Sequence, residues 1–140
     1  MTVTPNSTIS VQSPRLGLGS IANADASNLK TVFAAGANGA KITSLTLSNS
    51  DTSPRDVTWG VSRAGTFYPW GSVTVPLSAG QAAGVPSVNA FSPAVAPGLP
   101  IDSDGQPYLL MQSGDTLDFK ALTTVTAAKN VMGLATAGDF

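Results

Sequence analysis

Residues 56–76 read DVTWGVSRAGTFYPWGSVTVP. Through Arg63 the residues alternate: Val57, Trp59 and Val61 fall on one face of an extended chain, and Thr58, Gly60 and Ser62 on the other. A period of two belongs to a β-strand whose faces meet different surroundings. Ala64-Gly65 then supplies a tight turn, since glycine enters positive φ without steric cost. The chain returns as a second extended run over 66–76, interrupted by Pro69. Proline has no amide hydrogen to give to a ladder, so this returning strand is expected at a sheet edge or around a bulge.

Outward from this hairpin the same signals recur. RLGLGSI (15–21) alternates leucine with glycine. LKTVFAA (29–35) sets Leu29, Thr31, Phe33 and Ala35 against Lys30, Val32 and Ala34, and the turn Gly36-Ala37-Asn38-Gly39 leads into KITSLTLSN (41–49), its expected antiparallel partner. PYLLMQ (107–112), DTLDFKAL (115–122) and KNVMGLATA (129–137) read as strands too. In DTLDFKAL, Leu117, Phe119 and Ala121 share one face, and Asp118 and Lys120 point away. The stretch 78–100 is rich in Ala, Gly and Pro and reads as a long loop with one short strand over 85–91. Residues 1–14, dominated by Ser, Thr, Asn and Pro, read as an extended N-terminal arm, which leaves 15–140 as a single domain. The expected fold is all-β, an antiparallel β-sandwich or jelly roll of about eight strands.

Composition agrees. The 140 residues include 16 Ser, 15 Thr, 14 Gly and 10 Pro, a mixture that favours strands joined by many turns over long helices. Only 11% of residues are charged, and the net charge is -1. The basic residues Arg15, Lys30, Lys41, Arg55, Arg63, Lys120 and Lys129 stand singly, so none of them clusters to follow a phosphate backbone, and no nucleic-acid partner is expected. No apolar stretch reaches the roughly 18 residues of a membrane-spanning helix, and the first residues lack the basic and apolar regions of a secretory signal. A soluble protein without a membrane partner is expected.

The chain contains no Cys, His or Glu. Those absences remove the thiolate nucleophile, the commonest general base and the usual transition-metal ligands. The expectation is a protein without catalytic residues or cofactor.

Two clusters remain as candidate sites. Asp102, Asp104 and Asp115 sit in glycine-bearing turns around the apolar run 107–112. A calcium loop of the EF-hand type requires glycine at its sixth position and glutamate at its twelfth, whereas here Gly105 follows Asp102 by three residues. The simpler account is that each aspartate caps its own turn through backbone amides, with a weak calcium site near Asp102 and Asp104 as the alternative. Phe67, Tyr68 and Trp70 form the densest aromatic group, on the suspected edge strand. They serve either as a sugar-stacking or partner-docking patch or as caps on the core, and of the two the caps are favoured. Trp59 belongs in the core, and Asp56 and Asp118 are expected at solvated strand positions.

NLKTVFAAGANGAKITSLTLSNSDTSPRDVTW (28–59), LPIDSDGQPYLLMQSGDTLDFKAL (99–122) and the terminal TAGDF (136–140) resemble small virion structural proteins of tailed bacteriophages, among which the head decoration (cement) proteins are nearest in style. What the resemblance implies is a non-enzymatic β-sandwich on the outer surface of a capsid, made in the host cytoplasm, that clamps neighbouring shell subunits. Its partners would be the major capsid protein and further copies of itself, a symmetric trimer being favoured. The alternatives are a neck or tail component, or a carbohydrate- or receptor-binding module. The contacts are expected from residues 1–14, 64–71 and 78–100, through Pro5, Phe67, Tyr68, Trp70, Val85 and Phe91.

Overall fold

Strands with one apolar face must bury it, and here they do so against one another. A computed structural model describes residues 13–140, which form two antiparallel sheets packed as a β-sandwich. In chain order the strands are β1 (Ser13–Ala22), β2 (Lys30–Ala34), β3 (Ala40–Asn49), β4 (Arg55–Arg63), β5 (Thr66–Val75), β6 (Val88–Asn89), β7 (Leu109–Met111), β8 (Thr116–Ala121) and β9 (Asn130–Asp139). One sheet runs β1-β9-β3-β6, with β7 also on β3; the other runs β2-β8-β4-β5. The nine strands compare with about eight expected, and the only helical element among the described residues is a single 3₁₀ turn at Asn23–Asp25.

The pairing is nested. β4 pairs with β5, β3 with β6, β2 with β8, and β1 with β9 over all ten of its residues, from Ser13 opposite Asp139 to Ala22 opposite Asn130. Ser13 and Pro14, read from sequence as part of the arm, therefore belong to the first sheet. Among the strands of the described residues, only β4–β5 forms a local hairpin. Its turn residues Ala64 and Gly65 both take positive φ, 52° and 81°, the geometry of a turn whose twist matches the flanking strands.

One expected hairpin is corrected. β2 pairs with β8 in one sheet and β3 with β9 in the other, so the turn at 36–39 carries the chain across the sandwich instead of folding β3 back onto β2. The turn at 113–115 likewise leads from β7, on β3, to β8, between β2 and β4. A turn signal marks where the chain reverses and is silent about which strand it meets next. The strict alternation expected in β2 also fails: a bulge between Thr31 and Phe33 buries both Val32 and Phe33.

Between the sheets, Ile42, Leu45, Leu47, Val131 and Ala135 meet Val57, Trp59, Leu117, Phe119 and Ala121, all fully buried. Trp59 is the largest of the buried side chains. Its indole Nε1–H lacks an acceptor among the described residues, a cost of about 1–3 kcal/mol that burial of the whole ring outweighs. The loop 78–100 forms part of this core, since Ala79, Ala90, Phe91, Ala96 and Leu99 are buried in it. The strand expected over 85–91 is reduced to the two residues of β6.

At the β1 edge the sheets close unusually tightly. A Cβ on Gly17 would lie 2.6 Å from the Val32 carbonyl oxygen, and one on Gly19 would lie 2.9 Å from that of Thr31. Glycine is required there because the backbone of β2 occupies the space of a side chain.

Candidate interaction surface

Alternation along β1 puts Gly17, Gly19 and Ile21 inward and Leu16, Leu18 and Ser20 outward. Leu16 is 64% exposed and Leu18 is 70% exposed, on an edge strand where the inward positions have no room for them. Across the ladder, Leu16 faces Thr136, Leu18 faces Leu134 and Ser20 faces Met132. β3 continues each row with Ser44, Thr46 and Ser48. These rows hold aliphatic and hydroxyl side chains and no charge. A trough of about 580 Å³ runs along them, floored by Leu18, Leu134 and Met132 and walled on the far side by Gly80, Gln81 and Ser87.

The outer face of the second sheet is polar and internally satisfied. Asp118, expected at a solvated position, is only 6% exposed. Its carboxylate accepts hydrogen bonds from Thr31 Oγ1 at 2.8 Å and Ser62 Oγ at 2.5 Å. Thr58 and Ser72 hydroxyls share a 2.7 Å bond, and Thr74 Oγ1 donates to Asp56 at 2.5 Å. Asp56 is exposed, as expected of a solvated strand position.

The aromatic group is divided between two surfaces. Phe67 lies opposite Ser62 on the polar outer face, half-buried, with Lys120 Nζ 5.8 Å from its ring centre. A register shift opposite Trp59 and Gly60 accommodates Pro69 and leaves Trp70 as the extra residue of edge strand β5, as the proline predicts. Tyr68 (57% exposed) and Trp70 consequently line one cleft of about 280 Å³ at the rim between β5 and β7, with Val61, Leu109 and Leu110. Trp70 lies parallel to buried Trp59, ring centres 6.4 Å apart. It caps the core while keeping one part of its surface in solvent.

Of the remaining expected contact residues, Phe91 is corrected. It is 1% exposed and stacks on Trp59 with ring centres 5.0 Å apart, so its side chain belongs to the core and meets no partner. Val85 is half-buried against the same core. Pro5 and the rest of 1–12 lie outside the described residues.

The aspartates of the two turns keep separate partners. Asp102 Oδ1 accepts from the backbone N–H of Asp104 at 2.9 Å and of Gln106 at 3.0 Å, closing its own turn. Asp115 is buried and accepts from Arg63 Nε at 2.7 Å, Arg63 Nη2 at 2.6 Å and the Gln112 N–H at 3.0 Å. The Arg63 guanidinium holds the Asp115 carboxyl below the usual carboxylate range, against the opposing effect of burial. Asp51 is buried as well. Burial alone would raise its pKa, but the Thr126 and Thr52 N–H groups and the Arg55 guanidinium together hold it far below the ordinary value. These carboxylates tie strand ends and loops together: Asp51 links the β3–β4 turn to 126, and Asp115 links the end of β4 to the start of β8. Among the described residues no three carboxylates gather into a metal-binding group.

No protein-family model matches the chain, and no curated protein or solved structure matches it. Its function is therefore argued from the surfaces alone. Sequence reasoning missed the outward leucines because Leu16-Gly17-Leu18-Gly19 scores poorly as a strand; the usable signal was that all the side-chain bulk of that strand falls on one face. Periodicity offered no means of seeing that Asp118 would be roofed by the hydroxyls of two neighbouring strands.

Proposed function

We propose that the protein is a non-enzymatic virion structural protein of a tailed bacteriophage, which binds the outer capsid surface and stabilises contacts between shell subunits. The observation that carries this reading is the outward-facing apolar surface: Leu16, Leu18 and Leu134 on one sheet face, and Tyr68, Trp70 and Leu110 at the rim between β5 and β7. Exposed apolar patches of this kind are suited to docking on another protein. The buried carboxylates Asp51, Asp115 and Asp118 are each engaged by structural partners, which leaves them occupied with holding loops and strands.

We also assign the sandwich to the jelly-roll class. With the three-residue β7 set aside, eight strands remain. Their pairs, β1/β9, β2/β8, β3/β6 and β4/β5, are those of one long antiparallel hairpin, with β4–β5 at its tip, rolled into two sheets. Jelly rolls recur in viral capsid proteins and in lectins, and fold alone does not choose between those roles.

A second reading, a carbohydrate- or receptor-binding module, is favoured by one feature. The Tyr68/Trp70 cleft combines exposed rings with the Arg63–Asp115 pair at its border, a combination suited to stacking on a sugar ring.

Copy number per particle, measured by quantitative mass spectrometry of purified virions against the major shell protein, separates these readings. The expected result is a copy number comparable to the shell protein. A count of about a dozen, set by the symmetry of a single portal or tail, would move the protein to the neck or tail. Absence from particles would overturn the virion reading, and glycan-array binding abolished by Trp70→Ala would then establish the second.

A further inference from the structure

We infer that Asn38 is a site of spontaneous covalent modification, at which the backbone nitrogen of Gly39 displaces the side-chain ammonia and leaves aspartate or isoaspartate in the turn that joins the two sheets. The chemistry needs an asparagine amide open to water and a following residue with no side chain to crowd the attacking nitrogen. Asn38 is exposed, and its amide has no hydrogen-bond partner among the described residues. It is the only asparagine in the chain that a glycine follows. The other asparagines of the described residues are each held or shielded. Asn49 is fully buried, and its Nδ2 donates to the carbonyls of Ser53, Val75 and Pro76. Asn23 Nδ2 donates to the Val125 carbonyl at 2.7 Å, and Asn89 Oδ1 accepts from the Phe91 N–H at 3.0 Å. Asn28 and Asn130 precede Leu29 and Val131, whose side chains crowd the attacking nitrogen.

The fold fixes glycine at 39 for a reason of its own. Gly39 takes φ 87°, and a Cβ there would lie 2.6 Å from the Met111 carbonyl oxygen, so no bulkier residue can protect the position. Position 38 makes no such demand, since its φ is not positive. The step needs no reagent but water. The Gly39 nitrogen gives up its proton and bonds to Asn38 Cγ, the Cγ–Nδ2 bond breaks, and ammonia leaves with that proton. Water then opens the cyclic succinimide at either carbonyl. Opening at the side-chain carbonyl restores the ordinary backbone with aspartate at 38; opening at the main-chain carbonyl routes the backbone through Cγ and lengthens it by a methylene. One restraint opposes the attack: the Gly39 N–H donates to the Gly36 carbonyl at 3.1 Å, and this turn bond must open before the nitrogen can reach Cγ. The reaction is therefore slower in the folded chain than in the unfolded one, at the same site. Either product places a new carboxylate in a turn whose first residue, Gly36, donates its N–H to Asp139 Oδ1 at 3.0 Å. That turn is also where the chain passes from β2 in one sheet to β3 in the other. Like charge near Asp139 and a longer backbone both loosen the crossing. The inference is independent of which surface docks on a partner.

The test is warm storage of the purified full chain at neutral pH, folded and in guanidinium, followed by isoelectric focusing and peptide mass mapping. The expected result is an acid-shifted species that grows in both samples, faster in guanidinium, with the amide-to-acid mass change on the peptide that contains Asn38. Isomerisation at the exposed Asp104-Gly105 pair leaves the mass unchanged, so the two events are told apart. Asn38→Gln should suppress the acid-shifted species, because glutamine must close a larger ring that forms more slowly. The modified protein, isolated from the folded sample, should melt at a lower temperature than fresh protein. An Asn38 that stays intact through storage of the folded chain would overturn the inference, and so would loss of ammonia from any other described asparagine ahead of it. A melting temperature unchanged by the modification would reject the loosening of the crossing.

Discussion

The two outer faces of this sandwich are built from the same alternation and solve opposite problems. On the β2-β8-β4-β5 face the outward positions hold Asp56, Thr58, Ser62, Ser72, Thr74, Asp118 and Lys120, and the side chains hydrogen-bond to each other across strands. On the β1-β9-β3 face the central outward positions hold leucine, methionine, serine and threonine, with two leucines well exposed and with Lys41, largely buried, at one end. The difference arises in the interior. β8 and β4 have room beneath them for Phe119 and Trp59, so their apolar residues go in and their polar ones go out. β1 runs so close to β2 at positions 17 and 19 that only glycine fits beneath it there, and the leucines that alternate with those glycines have nowhere to go but outward. A strand that turns its side-chain bulk outward at the rim of a sandwich thus makes one sheet face apolar and leaves the other polar.

The contrast breaks most decisively at Gly17. Gly17→Val forces a branched side chain against the Val32 carbonyl and Phe33, and we expect a loss of about 2–3 kcal/mol in urea unfolding, typical of overpacking where backbone cannot yield. One residue on, Leu18→Ser should change the stability of the dilute protein by no more than about 0.5 kcal/mol, as for other exposed positions. Equal effects at the two positions would mean that β1 does not present its leucines to solvent.

Next in size is Asp118. Replacing it with Ala leaves the hydroxyls of Thr31 and Ser62 without their acceptor, and should cost about 1–3 kcal/mol by the same measurement. Asp56→Ala, on an exposed carboxylate of the same face, should cost less than about 0.5 kcal/mol. A cost at Asp118 no greater than at Asp56 would show that the polar face is solvated throughout.

Acid should act on the rims of the sandwich. The carboxyls of Asp51 and Asp115 are held below their ordinary value of 3.8 in the folded state. Depressed carboxylates contribute stability that is fully present above the unfolded value and is lost as pH falls through the folded ones. The contribution of this pair to the melting temperature should therefore be full and constant between neutral pH and about 5, and should decline below about 4, where the unfolded carboxylates take up protons first. Asp51→Asn should lower stability at neutral pH and flatten the acid limb; an unchanged limb would remove Asp51 from this role. The smallest effect belongs to Lys120→Ala, which removes a half-buried cation near Phe67 and should cost about 0.5 kcal/mol or less.

Local signals in the sequence were reliable where the structure they specify is local. Alternation in 56–63, the Ala64-Gly65 turn and Pro69 described β4, the hairpin and a bulged edge strand, because all three depend on residues within a few positions of one another. The capping role of Asp102 was equally legible, since its acceptor bonds reach only to 104 and 106. The hairpin expected between 29–35 and 41–49 failed for the complementary reason. Both strands exist, but their partners β8 and β9 lie some 80 to 100 residues further on, where no turn residue can point. Phe91 failed likewise: it sits in a stretch composed like a loop, and only the position of Trp59 makes it core.

The amino-acid sequence by itself determined that residues 13–140 are built of strands and turns, where most of those turns fall, and, outside the bulge in β2, which strand residues share a face, because these follow from backbone sterics and a period of two. Only the tertiary structure decided which partner each strand takes and which of its two faces is inside. Alternation is symmetric: it separates leucine from glycine in β1 but does not say which of them meets the core. That choice was made by the distance to β2, where a carbonyl oxygen occupies the place of a side chain, and it turned the leucines of an unremarkable strand into the most exposed large apolar side chains among the described residues.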